Sequence, residues 1–300
     1  MGRAGPAHWS AERERSHAWL LRAMVWISLT LGRRAGRIVL HGIAVYFTLF
    51  APGARRASRD FLQRALGRPA RWRDVYRHVL SFATTIHDRV FLLADQGRGL
   101  QVQVEGAQAL QQALGQGRGA LLVGAHYGSF ELLRTMGRTQ GGARVAMAMR
   151  AEHARKLQAT LAAINPAAEQ DVIALGQMQA MLQLRDKLDQ GYLVGLLADR
   201  TLEAGDGVAL PFLGAPARFA QGPWRLAALL QRPVFFMAGV YLGGNRYRIH
   251  LEPIADFSGV ARGARQAAID AAMARYVQVL QTRVLDNPWN WFNFYDFWKP

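Results

Sequence analysis

The chain has 300 residues and a mass of 33.3 kDa, which suits two ordinary domains or one large α/β domain with an appendage. Hydrophobic residues make up 51% of the sequence and charged residues 19%, a balance that excludes a disordered or low-complexity protein. The sequence contains no cysteine, which excludes disulfide frameworks, thiolate zinc sites, iron–sulfur clusters and cysteine nucleophiles.

The net charge of +16 is concentrated in the N-terminal part of the chain. Residues 1–77 contain 15 arginines and four acidic residues, so this part alone has a net charge of +11. Its arginines flank two apolar runs, at 24–31 and 38–51. Basic clusters that bracket short apolar stretches are typical of segments that bind an anionic membrane surface. We therefore predict membrane-associated helices over residues 1–59.

These apolar runs are poor candidates for one transmembrane span. A helix over 20–51 would be about 48 Å long, with three arginines near its middle. Each central arginine opposes insertion by about 2.5–3.5 kcal/mol. Two helices that enter one leaflet, with the arginines at the headgroups, have a lower free-energy cost than one span. The alternative is a buried helical pair packed against the rest of the protein.

The chain beyond residue 59 predicts helices followed by an α/β alternation. Helices are predicted at 58–67 and 72–95, and a short helical stretch within 98–117. Apolar runs then predict strands at 120–124, 145–149, 172–175, 193–198 and 234–240, separated by helical patterns at 129–138, 152–164, 177–190 and 223–231. A glycine-rich turn at 243–245 predicts a hairpin, and a helix over 262–285 precedes an aromatic tail. We predict a mixed, mostly parallel sheet flanked by helices in an α/β domain over 60–300.

The main candidate site follows the first strand of this alternation. His126 follows the strand, and a helix is predicted to begin near Ser129. Open α/β folds bind their ligands at such a junction, beyond the carboxyl end of a strand. Glu131, in the first helical turn, can reach one imidazole nitrogen and leave the other to accept a proton from a hydroxyl. The alternative is structural, with the histidine bound to a loop carbonyl and the glutamate at a helix end.

His126 and Glu131 resemble the His-x4-Asp/Glu motif of the lysophospholipid acyltransferase superfamily, specifically its lipid A biosynthesis branch of the lauroyl/myristoyl type. Three further stretches are similar to blocks of that branch in order and spacing. They are 145–150, which ends in Arg150, then 196–200, which ends in Asp199 and Arg200, and 217–223, a small-residue turn before a helix. The resemblance covers residues 15–300. The branch commonly has Asp-Gln at 199–200 and threonines at 218–219, differences that concern the acceptor more than the chemistry.

The resemblance implies an O-acyltransferase. His126 would take the proton of an acceptor hydroxyl as it attacks an acyl thioester, and Glu131 would orient His126. Arg150, Asp199 and Arg200 are the implied substrate-binding residues. The donor would be a thioester of acyl carrier protein, the expected protein partner, or of coenzyme A, and the acceptor a membrane lipid or glycolipid. No metal, no cofactor and no nucleic acid are expected.

We predict a location at the inner (cytoplasmic) membrane, with the catalytic domain on the cytoplasmic face where thioester donors are found. The basic residues around the apolar runs agree with that side. Two alternatives stay open: a lipid hydrolase that uses the same dyad on water, and a non-catalytic membrane or nucleic-acid adaptor. The aromatic tail at 289–298 is predicted to pack against the core, with a membrane anchor or an acyl-chain wall as alternatives.

Overall fold

The computed structural model describes residues 30, 32–93, 99–115, 117–132, 144–152, 154–155, 172–176, 178–201 and 207–299. The first apolar run and the helices predicted at 129–138 and 152–164 lie largely outside these residues.

A seven-stranded sheet forms the centre of the molecule. Its spatial order is β1-β9-β8-β2-β5-β3-β4, and every neighbouring pair is parallel except the antiparallel hairpin β8–β9. The strands are β1 (Gln101–Glu105), β2 (Ala120–Gly124), β3 (Val145–Arg150), β4 (Val172–Leu175), β5 (Leu193–Leu197), β8 (Pro233–Gly243) and β9 (Arg246–Asp256), with β6 (Val208–Phe212) and β7 (Ala215–Phe219) as a separate hairpin. The predicted α/β class with a mixed, mostly parallel sheet is confirmed.

Helices cover the sheet. They are α1 (Gly32–Phe50), α2 (Pro52–Leu66), α3 (Trp72–Leu93), α4 (Ala107–Leu114), α5 (Met178–Asp189), α6 (Gly222–Leu230) and α7 (Arg265–Asp286). Proline at the start of α2 lacks the N–H that a continuous helix would need, and α1 and α2 meet there at 94°. The predicted division into residues 1–59 and 60–300 stays a prediction, and its boundary falls within α2.

The central strands β2 and β5 are apolar runs buried on both faces. Alternate side chains point to opposite faces of a strand, so Leu121 and Val123 enter one core cluster while Ala120 and Leu122 enter the other. Because both faces are buried, these strands are continuous apolar runs, and the sequence therefore predicts strands at 120–124 and 193–198. This burial also fixes the carboxyl ends of both strands side by side, where Gly124 and Leu197 are register partners.

Two elements were not predicted. β1 lies within the stretch where only a helix was expected, and it alternates glutamine with valine because it is a half-exposed edge strand. The β6–β7 hairpin was not predicted as strands, since 217–223 was interpreted only as a turn before a helix; its strands alternate exposed and buried positions outside the main sheet.

Helix α1 has one face against the protein and an apolar face exposed. Leu40, Ala44 and Thr48, spaced one helical turn apart, are buried. The opposite face exposes a set of large apolar side chains: Ile38, Val39, Val45, Tyr46, Phe47, Leu49 and Phe50. Within the described part of the chain no single helix passes the length and hydropathy test for a membrane span, and α1 with α2 passes it only as the bent pair.

A buried carboxylate in α3 fastens α1 to the domain. Asp88 is 1% exposed, and it lies 3.0 Å from the Arg37 guanidinium and 3.6 Å from that of Arg33. The hydroxyl of Tyr247, on β9, donates to the same carboxylate at 2.7 Å. A buried charge needs such partners, so Arg33 and Arg37 of α1 are held where Asp88 stands.

Asp88→Ala should therefore destabilise the protein by about 3 kcal/mol, because it leaves two arginines without their buried counter-charge. The matched control is Asp60→Ala, whose carboxylate is half exposed and pairs with Arg64 one helical turn away. That change should cost about 0.5 kcal/mol or less. Thermal unfolding of the two variants checks this, and equal losses would contradict the account of the α1 contact.

Candidate active site

His126 lies in a loop at the carboxyl end of β2. The loop is held by backbone hydrogen bonds on three sides. The Ser129 N–H donates to the Gly239 carbonyl of β8, the Gly128 N–H donates to the Asn290 carbonyl, and the His126 carbonyl accepts from the Phe292 N–H. The C-terminal tail thus contacts both sides of the histidine. This fixes the His126 backbone at the edge of the sheet where open α/β folds bind ligands.

The loop also passes directly over β8. Gly128 has φ +73°, and a Cβ at this position would lie 2.1 Å from the Gly239 carbonyl oxygen. Only glycine satisfies both the positive φ and this close approach.

The carboxylate that contacts the imidazole is that of Asp199, which follows the end of β5. Nδ1 of His126 lies 2.9 Å from Oδ1 of Asp199, and the His126 backbone N–H donates to Oδ2 at 3.0 Å. Two contacts from one residue to both oxygens fix the ring relative to its own backbone. The His126 side chain is 35% exposed whereas that of Asp199 is 1% exposed, so the imidazole faces solvent with a buried carboxylate behind it.

Asp199 stays ionised in this position. Burial by itself would raise the pKa of its carboxyl, but the charge and hydrogen bond of His126, together with the charge of Arg200, outweigh burial and hold that pKa below its ordinary value. A third N–H reaches the same carboxylate, because the Trp291 indole lies 3.3 Å from Oδ2. The Asp199 carboxylate is therefore an acceptor, and Nδ1 of His126 carries the proton of their hydrogen bond.

Glu131 occupies a different position from the one predicted. It stands in the first turn after the loop, and its carboxylate lies 2.7 Å from the guanidinium of Arg89 on α3. The carboxylate on Nδ1 of His126 in the structure is that of Asp199, and the orienting role of Glu131 stays a prediction. The two acidic residues differ because β5 pairs with β2 and brings Asp199 beside the loop.

The other predicted residues lie on neighbouring strand ends. Arg200 donates to the Phe292 carbonyl at 3.1 Å, and its guanidinium lies over the Tyr295 ring at 4.9 Å. The structure thus brings His126, Asp199 and Arg200 together with the tail. Arg150 ends β3, on the far side of β5 from β2, and it is exposed.

Sequence reasoning missed Trp291 and the way in which the tail contributes to the site. The predicted packing of the tail against the core is confirmed, since Trp291, Phe292 and Phe297 are buried. Its aromatic composition indicated burial but gave no sign that one indole would face a carboxylate. Spacing carries no such signal, because Trp291 is 92 residues beyond Asp199.

The family model for bacterial lipid A biosynthesis acyltransferases matches residues 8–300, nearly the whole chain. The chain belongs to this family. The resemblance first seen in the motif around His126 is confirmed, and with it the general activity of a lipid A-type acyltransferase, which has a lipid acceptor and an acyl donor. No curated protein matches the sequence.

The loop geometry of this acyltransferase leads to a prediction for Gly128→Ala. Gly214 also has a positive φ, of +82°, but a Cβ there would meet nothing within 4 Å, so Gly214→Ala isolates the backbone cost of about 1–2 kcal/mol. Gly128→Ala adds a clash with the Gly239 carbonyl and should cost at least about 1 kcal/mol more and displace His126. Thermal unfolding and acyl transfer would be measured for both. Equal stability and activity in the two variants would show that the close approach is unimportant.

Proposed function

We propose that the protein transfers a fatty acyl or related acyl chain from an acyl thioester to a hydroxyl of a membrane lipid or glycolipid, with His126 as general base. Family membership supports acyl transfer in general. The observation that carries the finer proposal is the contact of Nδ1 of His126 with the buried, ionised Asp199. It gives a half-exposed imidazole one defined tautomer at the carboxyl ends of the central strands.

In that tautomer Nδ1 carries the proton and Nε2 carries the lone pair. Nε2 takes the proton of the acceptor hydroxyl as its oxygen attacks the thioester carbonyl carbon. The tetrahedral intermediate then expels the thiolate, which receives that proton from the imidazolium, so the histidine is regenerated. Asp199 keeps the ring oriented and stabilises the imidazolium between the two transfers. Base catalysis of this kind contributes about 10²–10⁴-fold to the rate.

The arginines at the strand ends support binding of an anionic donor. Arg200 is held by the Phe292 carbonyl and the Tyr295 ring, and Arg150 is exposed at the end of β3. We assign both to the phosphate and pantetheine groups that acyl carrier protein and coenzyme A share, with acyl carrier protein as the expected partner. An arginine fork suits phosphate oxygens, which accept hydrogen bonds in pairs.

Attachment to the cytoplasmic face of the inner membrane is part of this proposal. The exposed apolar face of α1 would enter one leaflet, and the exposed Arg56 and Arg59 of α2 would meet anionic headgroups. An apolar acceptor lipid would then reach the site along the same surface.

Three substitutions on that face, Ile38→Ser, Tyr46→Ser and Phe50→Ser, should together lower binding to phosphatidylglycerol vesicles by about a hundredfold or more, since each buried apolar side chain contributes about 1.5–3 kcal/mol. The control carries Leu182→Ser and Leu229→Ser, which change exposed leucines on α5 and α6. Vesicle co-sedimentation would be measured for both. Unchanged binding of the α1 variant would place the membrane contact elsewhere, with the aromatic tail as the next candidate.

His126→Ala should lower acyl transfer by at least about a hundredfold, the loss typical of general-base catalysis. Asp199→Asn should cause a comparable loss, and the double variant should be far from additive because Asp199 acts through His126. Glu131→Gln should lose about tenfold or less, because its partner is Arg89. These rates would be measured on a thioester donor with thermal unfolding as the control for folding.

A folded His126→Ala protein with near-native transfer would falsify the assignment of the base. A Glu131→Gln loss larger than that of Asp199→Asn would instead return the orienting role to Glu131, as the sequence motif predicted. Release of free fatty acid at the same rate with and without acceptor would favour the lipid hydrolase. Salt-dependent oligonucleotide binding without any thioester cleavage would favour the adaptor.

A further inference from the structure

The hydrogen bond between the Trp291 indole and Asp199 is not required by the packing of the tail. The tail contains a second indole in the same aromatic cluster, that of Trp298, which donates to the Phe212 backbone carbonyl at 3.2 Å. Both rings contact Phe212 and Phe297, with centroids 4.8–6.2 Å apart. Of these two indole N–H groups, that of Trp291 reaches a carboxylate, whereas the Trp298 ring lies under the Arg64 guanidinium at 4.5 Å. The two tryptophans therefore separate aromatic packing from contact with the catalytic carboxylate.

Trp291 is held rigidly from several directions. Its ring packs edge-on against Phe61 of α2 and Phe212 of β6, and its backbone forms a bridge with Tyr127, the residue after His126. Its carbonyl oxygen accepts a hydrogen bond from Nε2 of His78 on α3 at 2.9 Å. An indole N–H fixed in this way points at Asp199 without any further ordering cost.

His78 is held in one protonation state and one tautomer. Burial lowers the pKa of His78 to about 4, and its hydrogen bond to the Trp291 carbonyl opposes burial only in part. The ring is therefore neutral near pH 7, with the Nε2 proton donated to Trp291 and Nδ1 accepting from the Ser58 hydroxyl at 2.8 Å. Ser58, on α2, His78, Trp291 and Asp199 thus form a continuous chain that ends at His126.

We propose that Trp291 is a positioning residue of acyl transfer: its indole N–H holds the Asp199 carboxylate on Nδ1 of His126, and His78 with Ser58 holds Trp291. The proposal rests on the proposed function, because it assigns Trp291 a role through the general base. Both His126 donors move with the loop, whereas the Trp291 indole reaches Oδ2 from the tail, so it fixes the carboxylate from outside the loop that it orients. The tail then belongs to the catalytic apparatus as well as to the core.

The pH dependence of the reaction reports this contact, because few of the other groups that the structure describes around Asp199 titrate near neutral pH. The guanidinium of Arg200 also acts on this carboxylate through its charge. Burial raises the pKa of Tyr276, which lies on α7 and donates to the Gly124 carbonyl, and burial raises that of Tyr295 in the tail to about 12. Burial also raises the pKa of Tyr127, the residue after His126, which lies near Arg283 and Asp286 of α7. Glu131 with Arg89 is a further charged pair beside the loop. We therefore use the acid limb of the pH–rate profile as the readout of this contact.

The test compares Trp291→Phe with Trp298→Phe and Asp199→Asn in the full-length protein, using an acyl-carrier-protein thioester and an acceptor lipid in vesicles. A carboxylate partner favours the imidazolium, so Asp199→Asn should move the acid limb to lower pH. Trp291→Phe should move the limb part of the way in the same direction and lower kcat about tenfold, with KM for the thioester within about twofold. Trp298→Phe should leave the limb and kcat at wild-type values.

An unmoved acid limb in Trp291→Phe would overturn the proposal. So would a limb moved to higher pH, since the carboxylate would then have stayed in place with only its basicity raised. If Trp291→Phe does not fold, a 3-benzothienyl side chain at position 291 keeps the ring shape without the donor, and the same two limb outcomes decide. Failure of the proposed function is a separate result, because His126→Ala would then keep near-native transfer whatever Trp291→Phe does.

Discussion

The buried charge of Asp199 is the feature around which the rest of the site is built. A carboxylate taken out of water costs several kcal/mol unless it is paired and hydrogen bonded. Here the compensation comes from the His126 backbone, the His126 ring and the Trp291 indole, which belong to different parts of the chain. The loop after β2, the end of β5 and the C-terminal tail must therefore assemble together. The same contacts that lower the cost of burial also orient the imidazole toward solvent.

A second buried carboxylate, in α3, is also stabilised by charged and hydrogen-bonding partners, and it attaches the N-terminal helix to the protein. Asp88 holds Arg33 and Arg37 of α1 and the hydroxyl of Tyr247, so the helix with the exposed apolar face is attached to the sheet through β9. Helices α2 and α3, which lie between α1 and the catalytic loop, also carry Ser58 and His78. Helix α3 thus carries both Asp88, which holds α1, and His78, which contacts Trp291 near the proposed base.

Much of the sheet could be predicted from the sequence, because its central strands are continuous apolar runs with glycine and polar residues between them. The predicted strands at 120–124 and 172–175 coincide with β2 and β4. β1 was not predicted because an edge strand with glutamines on its exposed face has no apolar run. The β6–β7 hairpin was not predicted because its strands contain two prolines, which are uncommon inside strands.

The site was predictable only in part, for a reason of topology. His126 was identified from a local pattern, but its partner Asp199 lies 73 residues further along the chain. In the sheet β5 pairs with β2, and the hydrophobicity of the two strands does not predict which strands pair. Local spacing therefore favoured Glu131, the acidic residue nearest in sequence, whereas the parallel sheet brings Asp199 closest to Nδ1 of the histidine.

The most direct test of this account is the proton on Nδ1 of His126, observed by NMR of the protein with ¹⁵N-labelled histidine. The account predicts a neutral ring protonated at Nδ1, with a downfield ring proton that is lost in Asp199→Asn and kept in Glu131→Gln. A ring protonated at Nε2, or a downfield proton that survives Asp199→Asn and is lost in Glu131→Gln, would contradict it.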